Sequence, residues 1–157
     1  MEITFLLNGK TTEAYLQEGV ALYEKRLSHY VRYRTEVLPE LKNTKALSPE
    51  QQKTAEGTRI LAAMNRADYT VLLDERGERR TSVQFADFLQ RQMNRGTRNL
   101  LFVVGGPYGF SDDVYRQAQA RLSLSDMTFS HQMIRLFFTE QLYRAFTILK
   151  GEPYHNA

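Results

Sequence analysis

Two short apolar runs, Tyr69 to Leu73 (YTVLL) and Leu100 to Val104 (LLFVV), constrain this chain more than any other feature. Neither alternates polar with apolar residues, so neither suits a sheet with one wet face. Unbroken runs of this kind belong to strands covered on both sides, as in a parallel sheet. Asp74-Glu75-Arg76-Gly77 is expected to turn the chain after the first run, and Gly105-Gly106-Pro107-Tyr108-Gly109-Phe110 after the second. Between them a helix is expected over Ser82 to Met93, burying Val83, Ala86, Phe88 or Leu89, and Met93, with Gly96 ending it. Ser111-Asp112-Asp113 caps a further helix.

The first half repeats the alternation. Ile3 to Leu7 reads as a strand stopped by Asn8 and Gly9, and Ala14, Leu16, Val20, Tyr23 and Leu27 recur at helical spacing within a helix from about Thr12 to Tyr30. Tyr33 to Leu38 is a strand stopped by Pro39. Glu40 to Pro49 is polar and expected to form an exposed, mobile loop. Ser48 as N-cap, Pro49 at the first helical position and Gln51 three residues after the cap start a helix that runs to about Asn65. The chain is therefore expected to be α/β, a mostly parallel sheet flanked by helices, in a single domain over 1–157 without repeat or linker.

The last stretch, LSLSDMTFSHQMIRLFFTEQLYRAFTILKGEPYHNA, opens with a strand-like piece from Leu122 to Ser125 and a compact loop from Asp126 to Phe129. A helix follows over Ser130 to Lys150, with Ser130 as N-cap and Gly151 and Pro153 as stop signals. Ile134, Phe138, Leu142, Ala145 and Leu149 share one face, Phe137 and Phe146 widen it, and Arg135 and Arg144 fall outside it. Surplus apolar width of this kind suits a homodimer interface.

Composition excludes several classes. There is no cysteine, hence no disulfide or thiolate metal site, and His29, His131 and His155 are far apart in sequence with no metal-binding spacing, so no metal is expected. No apolar run approaches a membrane span and the N-terminus reads as a strand rather than a signal, so a soluble cytoplasmic protein without a membrane partner is expected. A net charge of +3 permits a polyanionic partner without requiring one. G-G-P-Y-G is neither a dinucleotide fingerprint nor a phosphate loop. Ser130 beside His131 lacks the geometry of a hydrolase pair, and Asp112-Asp113 are first-turn acids favoured by the helix dipole.

In parallel sheets ligands bind beyond the carboxyl ends of the strands. Leu73-Asp74-Glu75, Gly105 to Gly109 and Ser125 to Phe129 all fall at such ends and together can line one pocket. The glycines serve either a ligand's approach to the backbone or simply a tight turn. His131, at the start of the last helix, either touches a ligand there or is structural. Tyr143, Arg144, Tyr154 and His155 combine cation, aromatic faces and hydrogen-bonding tips, the mixture that looped or single-stranded RNA needs.

FVVGGPYGF, LSLSDMTFSHQMIRLFFTEQLYRAFTILKGEPYH, the YEKRL segment at Tyr23 to Leu27 and the EGTRIL segment at Glu56 to Leu61 resemble the small bacterial methyltransferases of the SPOUT class that modify N3 of a pseudouridine in large-subunit ribosomal RNA. The resemblance covers essentially the whole chain. It implies a C-terminal deep trefoil knot, a homodimer, and S-adenosylmethionine held by Leu73, Gly105, Leu124, Ser125, Asp126, Met127, Thr128 and Phe129. Transfer to N3 requires loss of the imide proton, for which His131, Tyr154 and His155 are the catalytic candidates. Arg135 and Arg144, with Tyr154 and His155, are the candidate RNA contacts. The resemblance further implies ribosomal RNA in the assembled ribosome as substrate. The alternatives are a SPOUT methyltransferase acting on transfer RNA and a non-catalytic ribosome-associated RNA-binding protein.

Overall fold

Successive residues of a strand point to opposite faces, and here both faces are apolar. The structure, a computed structural model, describes residues 1–156. Its elements are β1 (Glu2–Asn8), α1 (Ala14–Leu27), β2 (Arg32–Leu38), α2 (Pro49–Met64), β3 (Tyr69–Arg79), α3 (Ser82–Asn94), β4 (Asn99–Val104), α4 (Asp112–Gln117), β5 (Ala120–Ser123) and α5 (Met133–Leu149). The five strands form one sheet in the order β2-β1-β4-β3-β5, and every pairing is parallel. Ile3, Phe5, Leu7, Val71, Leu73, Leu100, Phe102, Val104 and Leu122 face α1, α3 and α5, whereas Leu6, Leu72, Leu101 and Val103 face α2 and α4. This is the two-sided cover that YTVLL and LLFVV require.

Helix starts follow their capping chemistry. Ser48 Oγ accepts from the Gln51 amide and the Gln51 side chain returns the bond to the Ser48 amide; Thr81 and Gln84 do the same at α3. Each such cap contributes about 1 kcal/mol. In α3 the buried residue is Phe85, not Val83, which is 50% exposed, and Met93 is only partly covered. The polar stretch after β2 contains one 3-10 turn, Thr44–Ala46.

At α5 the sequence expectation needs two corrections. Regular helix begins at Met133, not Ser130, although Ser130 Oγ still accepts from the Met133 amide at 3.1 Å. Arg135 lies on the buried face with Phe138, Thr139, Leu142, Ala145 and Phe146. Phe138 fastens this helix to the sheet, its ring centroid 4.6 Å from Phe5 and 4.8 Å from Phe102.

β3 does not end where its apolar run ends. Leu73 pairs with Leu122, the register then shifts, and Glu78 and Arg79 pair with Leu122 and Ser123, so residues 74–77 make an excursion within a longer strand. Gly77 rests against the backbone of β5: a Cβ there would lie 2.7 Å from Arg121 C and Leu122 N. The chain reaches β5 by crossing β3 from β4, and the cleft forms beside the excursion of β3 and beyond the carboxyl ends of β4 and β5.

Candidate active site

The cleft has a volume of about 690 Å³ and is bounded by the excursion of β3 and the ends of β4 and β5. Leu73 to Arg76 come from β3, Val104 to Phe110 from the turn after β4, and Leu122 to Phe129 from β5 and the loop that follows. His131 and Ile134, at the start of α5, close another side, and Lys53 reaches in from α2. The three stretches singled out from strand ends therefore meet at one site.

Each wall is held by short local bonds. Ser123 Oγ donates to Ser125 O at 2.9 Å and Ser125 Oγ accepts from the Met127 amide at 2.9 Å, a serine turn that bends the chain directly after β5. Phe129 packs on Phe137 of α5 with centroids 4.8 Å apart. Tyr115 Oη donates to Asp74 Oδ2 at 2.6 Å, while Asp74 Oδ1 accepts from the Arg76 amide at 3.0 Å. Burial and the Asp74 carboxylate push the Tyr115 hydroxyl up to about 12, so it remains a proton donor at neutral pH. Gly109 takes φ +81° and lets the loop return through the Gly106–Gly109 bridge. At Gly105 and Gly106 the space of a side chain is filled from within, by the Phe110 ring at 3.1 Å and by the Glu56 carboxyl at 2.5 Å. These glycines admit protein packing behind the loop as well as a ligand in front of it.

A second polar cluster lies at the other end of α5. Glu140 accepts from Arg144 at 2.5 Å and from Tyr154 Oη at 2.9 Å, and the Arg144 guanidinium lies 4.8 Å over the Tyr154 ring. Arg144 Nη1 is 3.1 Å from His155 Nδ1; because guanidinium only donates, Nδ1 accepts and the His155 proton sits on Nε2. Tyr23, Tyr30 and Tyr143 extend the cluster, with Tyr143 and Tyr154 edge to face at 4.8 Å. Burial and bonds to Tyr23 and Glu140 hold the Tyr154 hydroxyl well above the ordinary phenol range.

The family described as "Predicted SPOUT methyltransferase" matches residues 1–155. The chain belongs to the SPOUT methyltransferase family. Relatives named Ribosomal RNA large subunit methyltransferase H include one from Christiangramia forsetii, 52% identical, and one from Porphyromonas gingivalis (strain ATCC 33277), 54% identical, each covering 99% of both chains. A methylase family protein from Neisseria gonorrhoeae shares the fold, with a TM-score of 0.51 at 13% identity over 99% of this chain and 85% of that one.

Within this SPOUT chain the expected positions separate into groups. Leu73, Gly105, Leu124, Ser125, Met127, Thr128 and Phe129 line the cleft together with His131. Asp126 lies in the same loop but turns outward, 75% exposed and paired with Arg79 at 2.5 Å. Tyr154, His155 and Arg144 are gathered at the far cluster, away from the cleft of the same chain. Arg135 is in neither place: it is 2% exposed, and its guanidinium donates to Asn8 O, Gly9 O, Thr11 Oγ1 and its own helix at His131 O. With those donors engaged internally it presents no face to RNA. Lys53 and Tyr115 line the cleft without having been singled out from sequence. Lys53 belongs to a helix remote in sequence from the strand ends and carries no local signal. Among the described residues no cluster suits a metal ion and no helix is long and apolar enough to cross a membrane.

Proposed function

We propose that this SPOUT methyltransferase transfers a methyl group from S-adenosylmethionine to N3 of a pseudouridine in large-subunit ribosomal RNA, acting as a homodimer on the assembled ribosome. The observation that carries the reading is the convergence of the β3 excursion and the ends of β4 and β5 on one cleft in a chain that matches the family over residues 1–155. The names of the relatives support ribosomal RNA as the substrate.

The cleft fits the cofactor. Its volume is within the range of small-molecule sites, Leu73, Leu122, Leu124 and Ile134 offer apolar walls, and the turns at Gly105 and Ser125 to Phe129 bring backbone groups to the rim. When bound, S-adenosylmethionine supplies an electrophilic methyl carbon for in-line displacement. The protein's part is to hold the acceptor nitrogen close and aligned, and to favour loss of its proton. His131 is exposed at the cleft and is the base candidate closest to it. Tyr154 is a donor rather than a base, because its hydroxyl is held protonated and already donates to Glu140. Arg144, fixed by Glu140, and His155 suit gripping and orienting an anionic or aromatic group.

His131 precedes α5 and Arg144 lies eleven residues beyond Met133, about 16 Å along the helix at 1.5 Å per residue. One chain therefore does not bring its cleft and its tail cluster to the same nucleotide. We infer that a second copy supplies the tail. Exposed Tyr15, Leu22, Met127 and Phe137, on α1, α5 and the loop before it, support such an apolar contact. Threading of the last segment into the trefoil knot of the class belongs to the same reading. Replacing Tyr154 by Phe and His155 by Ala is expected to lower turnover at least tenfold or so while leaving S-adenosylmethionine affinity, read by calorimetry, within about twofold. Normal turnover in both variants removes the tail from the mechanism, and a wild-type protein that does not bind S-adenosylmethionine removes the cofactor.

A further inference from the structure

We propose that Glu56 is a positioning residue of the cleft, its carboxyl acting as the buttress that shapes the Gly105–Gly109 loop from behind. Glu56 is on α2, 5% exposed, on the far side of the loop from the cleft. Its Oε2 accepts from Asn8 Nδ2 at 2.5 Å, and its Oε1 is the one buried side-chain oxygen or nitrogen among the described residues with no hydrogen-bond partner. A carboxyl in that condition bears the cost of unmade hydrogen bonding, and an apolar residue there would avoid that cost. Its shape supplies a reason for it. A methyl group on Gly106 would meet Glu56 Oε2 at 2.5 Å and Oε1 at 2.6 Å, so the carboxyl fills the space where a side chain on the loop would be.

Asn8 extends the buttress to the opposite wall. Its side chain holds Glu56, and its carbonyl oxygen, with that of Gly9, accepts from Arg135. Arg135 in turn bonds His131 O at the start of α5. The end of β1 thus ties together the two sides of the cleft, the glycine loop and the turn that carries His131. Burial raises the proton affinity of Glu56, while the bond from Asn8, the polar side chain of Gln52 and the charge of Arg59 oppose that. A neutral group of the same shape is therefore expected to serve in its place.

The effect on cofactor binding rests on the function proposed above; the effect on the loop does not. Four variants test both: Glu56→Ala, Glu56→Gln, Gly106→Ala and the double variant Glu56→Ala with Gly106→Ala. Amide hydrogen exchange over residues 105–110 is read in the ligand-free protein, and the S-adenosylmethionine dissociation constant by calorimetry. Glu56→Ala and Gly106→Ala are each expected to speed exchange in that loop by about tenfold and to weaken cofactor binding by about the same factor. Glu56→Gln, which keeps the shape and an acceptor for Asn8, is expected to stay within about twofold of wild type. The double variant recovers toward wild type, since the added methyl enters the space the carboxyl leaves. Unchanged exchange over 105–110 in Glu56→Ala overturns the proposal, as does acceleration spread evenly over β1 and β4, or additive losses in the double variant. If Glu56→Ala does not fold, Glu56→Gln and Gly106→Ala decide: loss in the first or none in the second overturns it. A wild-type protein that binds no cofactor sinks the proposed function, and exchange alone then decides for or against Glu56.

Discussion

Arg135 is buried among carbonyl oxygens and bonds no carboxylate. Four acceptors from β1, the following turn and α5 take up its donors, and burial lowers its proton affinity, with the charge of Glu40 opposing that. Removing it leaves Asn8 O and Gly9 O without their partner in a region closed to water. Arg135→Met is therefore expected to lower the free energy of unfolding by about 3 kcal/mol, measured by urea denaturation. Unchanged stability with weakened RNA binding would return Arg135 to the substrate side. Position 135 stands three, four and seven residues before Phe138, Thr139 and Leu142, all buried, so spacing alone puts it on the core face. A stripe drawn through Ile134 left it outside, and a buried arginine satisfied by backbone carbonyls leaves no pattern in a single sequence. Glu56 escaped for the same reason, its partners Asn8 and Gly106 being 48 and 50 positions away.

At the scale of elements, the strands that hydrophobicity alone defines were legible. β1, β4 and the first half of β3 follow their apolar runs, and α2 starts at its capping box. The second half of β3, Asp74 to Arg79, is polar and mostly exposed, and Asp74 to Gly77 was expected as a turn that ends the strand; the strand resumes because β5 offers Glu78 and Arg79 a partner. Such pairing is a tertiary effect that local pattern does not encode. Gly77 is the residue on which this arrangement depends. Its φ is not in the left-handed region, so no backbone strain enters, but β5 backbone atoms lie where a Cβ would be and cannot rotate aside. Gly77→Ala is expected to cost about 1–3 kcal/mol of stability in a denaturant titration and to loosen the β3–β5 side of the cleft. An alanine variant as stable as wild type would mean that residues 74–77 do not lie against β5 in the folded protein.

For the whole molecule, the α/β class and the parallel sheet followed from the order of apolar runs, and the site followed from where strands of such a sheet end. Chain separation between the cleft and the tail cluster did not, because distance along α5 becomes meaningful only once both ends have been placed. A net charge of +3 gives one such domain a weak electrostatic grip on free RNA, which is why the substrate proposed above is an assembled particle that presents shape as well as phosphate. The most direct test is transfer of labelled methyl from S-adenosylmethionine to ribosomes purified from cells lacking this protein, with naked ribosomal RNA and transfer RNA in parallel. Label in large-subunit RNA of the particles, at N3 of a pseudouridine, with little in naked RNA and none in transfer RNA, is the predicted result. Label in transfer RNA, or none in any of the three from a protein that binds S-adenosylmethionine, would contradict it.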